Sequence, residues 1–143
     1  MEDERKGAVV ATIGMDAYRT KLDTGVHIVY ADEPESQGGS NTGPAPYDLM
    51  RMSLASCTAI TLRMYANRKQ WPVEQISVYV NIEKTEEKTI FHLAVELKGN
   101  LNGEQRKRML QIANACPVHK TLINPIGVST LLIKHINDPS RTE

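Results

Sequence analysis

Polar and apolar residues first alternate with a period of two. In Val26-His27-Ile28-Val29-Tyr30 the even positions are all apolar, as a half-buried strand requires. Ala17 to Asp23 pairs naturally with it, because Asp23-Thr24-Gly25 supplies a turn with a glycine free to take positive φ. Ala8 to Ile13 is a third strand, ended by Gly14, so an antiparallel meander opens the chain. The alternation returns at Ile76, Val78, Val80 and Ile82, and again at Phe91, Leu93, Val95 and Leu97. The charged stretch Lys84 to Lys88 separates these two runs, which predicts a hairpin with one apolar face.

Between the two strand regions the pattern changes. Glu33 to Ala45 holds three glycines and two prolines, which predicts an irregular polar loop, over a functional site or simply at the surface. Pro46 then opens a helix that runs to about Lys69, with Asp48 suited to its positive end. Leu49, Met50, Met52, Leu54, Ala55, Cys57, Ala59, Ile60, Leu62, Met64 and Ala66 cover most of its circumference. A helix so apolar is expected to be buried nearly all round, through the centre of the fold or at a subunit interface. After the hairpin, Asn102 and Gln105 form a capping-box pattern. The helix they open is expected to bury Met109, Leu110, Ile112 and Ala113 and to end near Cys116-Pro117. Pro117 to Leu122 reads as a short helix, Val128 to Ile136 as a last strand, and Asn137 to Glu143 as a frayed tail. The order predicts one α+β domain over residues 1–143, with antiparallel sheets.

Composition narrows the function classes. Seventeen Lys+Arg balance seventeen Asp+Glu, so no global basic field exists to hold a nucleic acid backbone. No apolar run approaches the ~20 residues needed to span a bilayer. Met1-Glu2-Asp3-Glu4-Arg5-Lys6 lacks the apolar core of a secretion signal, and a cytoplasmic protein with no membrane partner is the expectation. No cofactor-binding motif is present: there is no Gly-rich phosphate loop and no paired histidine on a helix.

The two cysteines, Cys57 and Cys116, stand 59 positions apart. In a reducing compartment they are either two buried thiols or a redox couple. Cys57 falls mid-helix, where burial would raise its pKa and leave it inert unless a cation lies close. Cys116, before Pro117, would sit at an N-cap, where free backbone N–H groups favour a thiolate. His119 lies three residues on and could tune that sulfur; as a zinc site the pair falls short of the four ligands such a metal wants, and no metal is expected.

The run Gly38-Gly39-Ser40-Asn41-Thr42-Gly43-Pro44-Ala45-Pro46-Tyr47-Asp48-Leu49, followed by Ser53-Leu54-Ala55-Ser56-Cys57-Thr58-Ala59-Ile60-Thr61-Leu62-Arg63-Met64-Tyr65-Ala66, resembles the OsmC/Ohr family. So does Cys116-Pro117-Val118-His119-Lys120-Thr121-Leu122. The resemblance implies an intertwined homodimer in which two antiparallel sheets wrap a long central helix. It further implies a thiol peroxidase for organic hydroperoxides. Cys57 would attack the peroxide and become a sulfenic acid; Cys116 would resolve it as a disulfide, which an external dithiol would reduce. Met50, Met52, Leu54 and Met64 would accept the alkyl part of the substrate.

In the family an N-terminal arginine and a glutamate ten residues before the first cysteine activate the thiol. Here Tyr47 occupies the glutamate's position, Asp48 follows it, and Arg19 is the nearest N-terminal arginine. The resemblance is therefore to a subgroup with Pro-Tyr-Asp in place of the family's Pro-Glu motif. Arg19 and Asp48 are the expected activating pair. The competing expectation is a non-enzymatic dimer of the same fold that binds a small apolar ligand and keeps inert cysteines.

Overall fold

In the computed structural model, which describes residues 4–135, three short strands come first: β1 (Val10–Thr12), β2 (Thr20–Asp23) and β3 (Ile28–Ala31). Helix α1 (Pro46–Lys69), strands β4 (Val73–Lys84) and β5 (Thr89–Gly99), and helices α2 (Gly103–Ala113) and α3 (Pro117–Leu122) follow. The strands form two separate antiparallel sheets, β1-β2-β3 and β4-β5. The α+β class and the order of elements agree with the sequence reading as far as α3.

The local chemistry behind each element is visible. At the β2–β3 turn Gly25 takes φ +90, its N–H donates to Asp23 Oδ1, and Thr24 and His27 close the hairpin. In the larger hairpin, Ile76 faces Leu97, Val78 faces Val95, Val80 faces Leu93 and Ile82 faces Phe91, so the apolar residues share one face. At the start of α2 the Gln105 N–H donates to Asn102 Oδ1 at 2.8 Å, and the Asn102 N–H donates back to Gln105 Oε1 at 2.9 Å.

The core lies where the second half of α1 meets the β4–β5 hairpin and α2. Leu62, Tyr65, Ala66, Val73, Leu101, Met109 and Ala113 form it, with Trp71, Ile76, Val95, Leu97 and Ile112 packed against it. Leu110, expected in this core, points away and is 61% exposed, because it falls off the Met109–Ala113 stripe of its helix.

Three further expectations are corrected. First, α1 is not buried all round within one chain. Its buried residues, Leu54, Thr58, Leu62, Tyr65 and Ala66, form one stripe, while Met50, Met52, Ile60 and Met64 remain exposed. Second, the Glu33–Ala45 loop contains a 3-10 turn at Glu35–Gln37 and is firmly held. Buried Asp32 accepts hydrogen bonds from the N–H groups of Tyr18, Glu33, Ser40 and Thr42 and from the Thr42 hydroxyl. Backbone packs so closely here that a Cβ on Gly43 would lie 2.3 Å from the Tyr30 carbonyl oxygen. Third, no strand forms over residues 128–135. A strand needs a neighbour to satisfy its backbone groups. Val128 (88% exposed) and Leu132 (99% exposed) find no such surface on their own chain. Ile136 and the tail expected from Asn137 to Glu143 lie outside the described residues.

Candidate thiol site

Helices α1 and α3 pack together and bring Cys57 and Cys116 into contact. Each sulfur is close enough to shift the ionisation of the other. Cys57 is partly exposed and Cys116 fully buried. Each holds the place its local sequence predicts: Cys57 in mid-helix, and Cys116 as the extended residue capping α3, with φ −58 and ψ 131.

Their surroundings differ. Burial pushes the Cys57 thiol up, and its hydrogen bond to Cys116 adds to this; the Val118 N–H and the Thr61 hydroxyl oppose the shift without cancelling it. Burial also acts to raise Cys116, but its neighbours Cys57, the His119 N–H, Thr58 and the Val118 N–H outweigh it and bring that thiol down. The influences that dominate on both sulfurs are burial and hydrogen bonding.

A groove of about 690 Å³, which neither cysteine lines, opens between α1, the hairpin and α3. Met50 and Leu54 of α1 form one wall, Ile82, Phe91 and Leu93 of the hairpin a second, and Leu122, Ile123 and Ile126 a third. At 100° per residue Met50 lies only ~20° from Cys57 round the helix and Leu54 ~60°, so the groove follows the helix face that carries the thiol. His119 lines it near α3, and Tyr47 and Lys84 line its far end, where the Lys84 ammonium donates to the Tyr47 hydroxyl. Met52 and Met64, expected to serve the same alkyl chain, line two other hollows: Met52 with Asp48 and Arg51, Met64 with Ile60 and Arg63.

Residues 38–130 match the OsmC-like protein family. The chain belongs to that family. No curated protein sequence matches it. Among solved structures, the OsmC-like protein of Mycoplasma pneumoniae is 17% identical, with a TM-score of 0.69 over 84% of this chain and 89% of the other. A protein of Psychrobacter arcticus described as a putative osmotic stress induced and detoxification response protein is 22% identical, with a TM-score of 0.70 over 87% and 93%. The organic hydroperoxide resistance protein OhrB of Bacillus subtilis is 25% identical, with a TM-score of 0.57 over 80% and 87%.

The remaining residues singled out in this OsmC-like chain are engaged elsewhere within it. Asp48 completes the start of α1: its Oδ2 accepts the Ala45 N–H at 3.0 Å, and its other oxygen pairs with Arg51. The Arg51 hydrogen bond and then the Ala45 N–H hold its carboxyl below the usual carboxylate range. Arg19 lies over the Tyr30 ring, 4.0 Å from the centroid, and donates to the Thr42 carbonyl at 3.5 Å. Neither is among the largest influences on Cys57. Among the described residues no cluster of three or more His, Cys, Asp or Glu could hold a metal ion. Sequence reasoning missed Thr58 and Thr61. Thr61 carried a usable signal, since i+4 spacing places it one turn from Cys57 on the same face.

Proposed function

We propose that this OsmC-like protein reduces organic hydroperoxides through Cys57 and Cys116. The observation that carries the reading is that folding sets two thiols separated by 59 positions against one another, one of them partly exposed on the helix face that also carries an apolar groove. Cys57 is the sulfur a substrate reaches. Its attack on the distal peroxide oxygen breaks the O–O bond, leaving a sulfenic acid and releasing the alcohol. Cys116 then attacks the Cys57 sulfur, expels hydroxide, which leaves as water, and closes a disulfide. An external dithiol returns both cysteines to the reduced form. The groove receives the alkyl group along Met50 and Leu54.

The functional unit in this reading is an intertwined homodimer in the cytoplasm. The exposed apolar side of α1, the open faces of the three-stranded sheet and the apolar segment 126–133 are the surfaces a second copy would cover. In such a pairing Arg19, which immediately precedes β2, is the positive charge a second copy would supply. The Pro-Tyr-Asp sequence marks the subgroup, with Tyr47 at the groove end in place of the family's glutamate.

Treatment of the reduced protein with one equivalent of cumene hydroperoxide is expected to consume both free thiols and to yield a Cys57–Cys116 disulfide, and Cys57→Ser is expected to abolish turnover. Two titratable thiols surviving that treatment would overturn the reading. One observation favours a second reading: burial raises the Cys57 thiol. A non-enzymatic dimer that binds a small apolar ligand in the groove predicts slow alkylation of Cys57 at about pH 6, well below the ordinary thiol value of ~8.5.

A further inference from the structure

The groove between α1, the hairpin and α3 is apolar along its length, and both of its ammonium groups stand at one end. Met50, Leu54, Ile82, Phe91, Leu122 and Ile126 wall it, and among the described residues no carboxylate lines it. Its two lysines, Lys84 and Lys88, belong to the tip of the hairpin. Lys84 follows Ile76, Val78, Val80 and Ile82 in the alternation of β4, so its side chain leaves the strand on the apolar face. Its ammonium lies 3.8 Å from the centre of the Tyr47 ring and uses one of its three donors on the Tyr47 hydroxyl. Lys88 is held at the same tip by a closed turn. The Thr85 N–H donates to the Lys88 carbonyl at 2.9 Å, and the Lys88 N–H donates to the Thr85 hydroxyl at 3.1 Å. Among the described residues neither ammonium has a carboxylate partner: Glu83 pairs with His92, and Glu86 and Glu87 of the turn do not line the groove.

We propose that this groove is a binding site for a single-chain amphiphile with a carboxylate head, of the medium-chain fatty acid class: the head meets Lys84 and Lys88, and the tail lies along Met50, Leu54 and Phe91. The volume of about 690 Å³ falls within the ~300–1,000 Å³ usual for small-molecule sites. Ile123 and Ile126, 73% and 61% exposed, offer the tail a wall that water otherwise wets. A carboxylate accepts charge-assisted bonds from both ammonium groups. The Tyr47 hydroxyl, which accepts from Lys84, still has its own proton to donate to the same head. A cationic head would meet two like charges, and an uncharged head would leave both ammonium groups without a counter-charge. This goes beyond the hydroperoxide reading and does not rest on it, since the site is one of binding and neither cysteine lines it.

The experiment is titration calorimetry of the reduced full-length protein with decanoate, decanol and decyltrimethylammonium, which share one tail and differ in the charge of the head, each below its micelle concentration. Decanoate is expected to bind saturably and about tenfold more tightly than either of the others, and to weaken as salt is added. Lys84→Gln/Lys88→Gln removes both charges and keeps much of each apolar stem. It is expected to weaken decanoate by about tenfold and to leave decanol unchanged. Absence of saturable decanoate binding, equal affinity for the three amphiphiles, or a double variant that keeps decanoate or loses decanol with it overturns the proposal. So does decanoate binding that appears only once Ile60→Glu/Met64→Glu has separated two chains, because a second copy is then the occupant of the groove. Decanoate has no O–O bond, so its failure to bind leaves the peroxidase reading to its own test, and thiols that survive peroxide leave this site standing.

Discussion

At the scale of single residues, the strongest local arrangement lies away from the thiols. Asp32, only 2% exposed, gathers four N–H groups and one hydroxyl, and these bonds, led by the Thr42 hydroxyl, hold its carboxyl far below the ordinary range. A carboxyl whose folded pKa is depressed adds stability that is fully present above the unfolded value of ~3.9 and lost as the pH falls through the folded one. Asp32→Asn is therefore expected to lower Tm near neutral pH, with the gap to the unaltered protein narrowing below about pH 4, as thermal melts across pH will show. Gly43→Ala is expected to disturb the same loop, since its Cβ would enter the space of the Tyr30 carbonyl. The glycines and prolines of 33–45 announced an irregular segment, but not that one carboxylate organises it. The donors come from residues up to fourteen positions away, which no local pattern records.

Among the elements, α1 shows most clearly how a pattern can be read correctly and still leave its environment open. Its limits, Pro46 and Lys69, agree with the sequence reading because N-terminal proline and an unbroken run of helix formers are local properties. Its apolar circumference indicated burial, yet one chain covers a single stripe. The same holds for α2: the Asn102–Gln105 cap was legible, whereas the exposure of Leu110 depended on which face met α1. Two substitutions separate these contributions. Asn102→Ala removes the cap and is expected to cost about 1 kcal/mol. Met109→Ala opens a cavity in the main core and is expected to cost about 2–5 kcal/mol. Urea unfolding should show both as a lower midpoint with an unchanged slope.

For the whole molecule, the distribution of exposed hydrophobics matters most. Ile60 and Met64 on α1, Ile28 and Val29 on β3, and Val128 and Leu132 near the end of the chain all face outward. That much apolar surface on several elements is what a second copy is proposed to cover. The double variant Ile60→Glu/Met64→Glu is expected to shift sedimentation from two chains to one, because it would place desolvated charge in the shared face. No helix among the described residues is long and apolar enough to cross a membrane.

From residue order alone came the element types as far as α3, the limits of α1, the caps of α2 and α3, the apolar face of the hairpin and the family motifs around both cysteines. All are governed by backbone sterics, short-range hydrogen bonds and side-chain periodicity, which act over a few positions. Folding in three dimensions decided the approach of Cys57 to Cys116, the engagement of Asp48 with Ala45 and that of Arg19 with Tyr30. It also left residues 128–135 without a strand. A repeating pattern reveals that a face avoids water; what lies against that face depends on contacts between parts of the chain far apart along it.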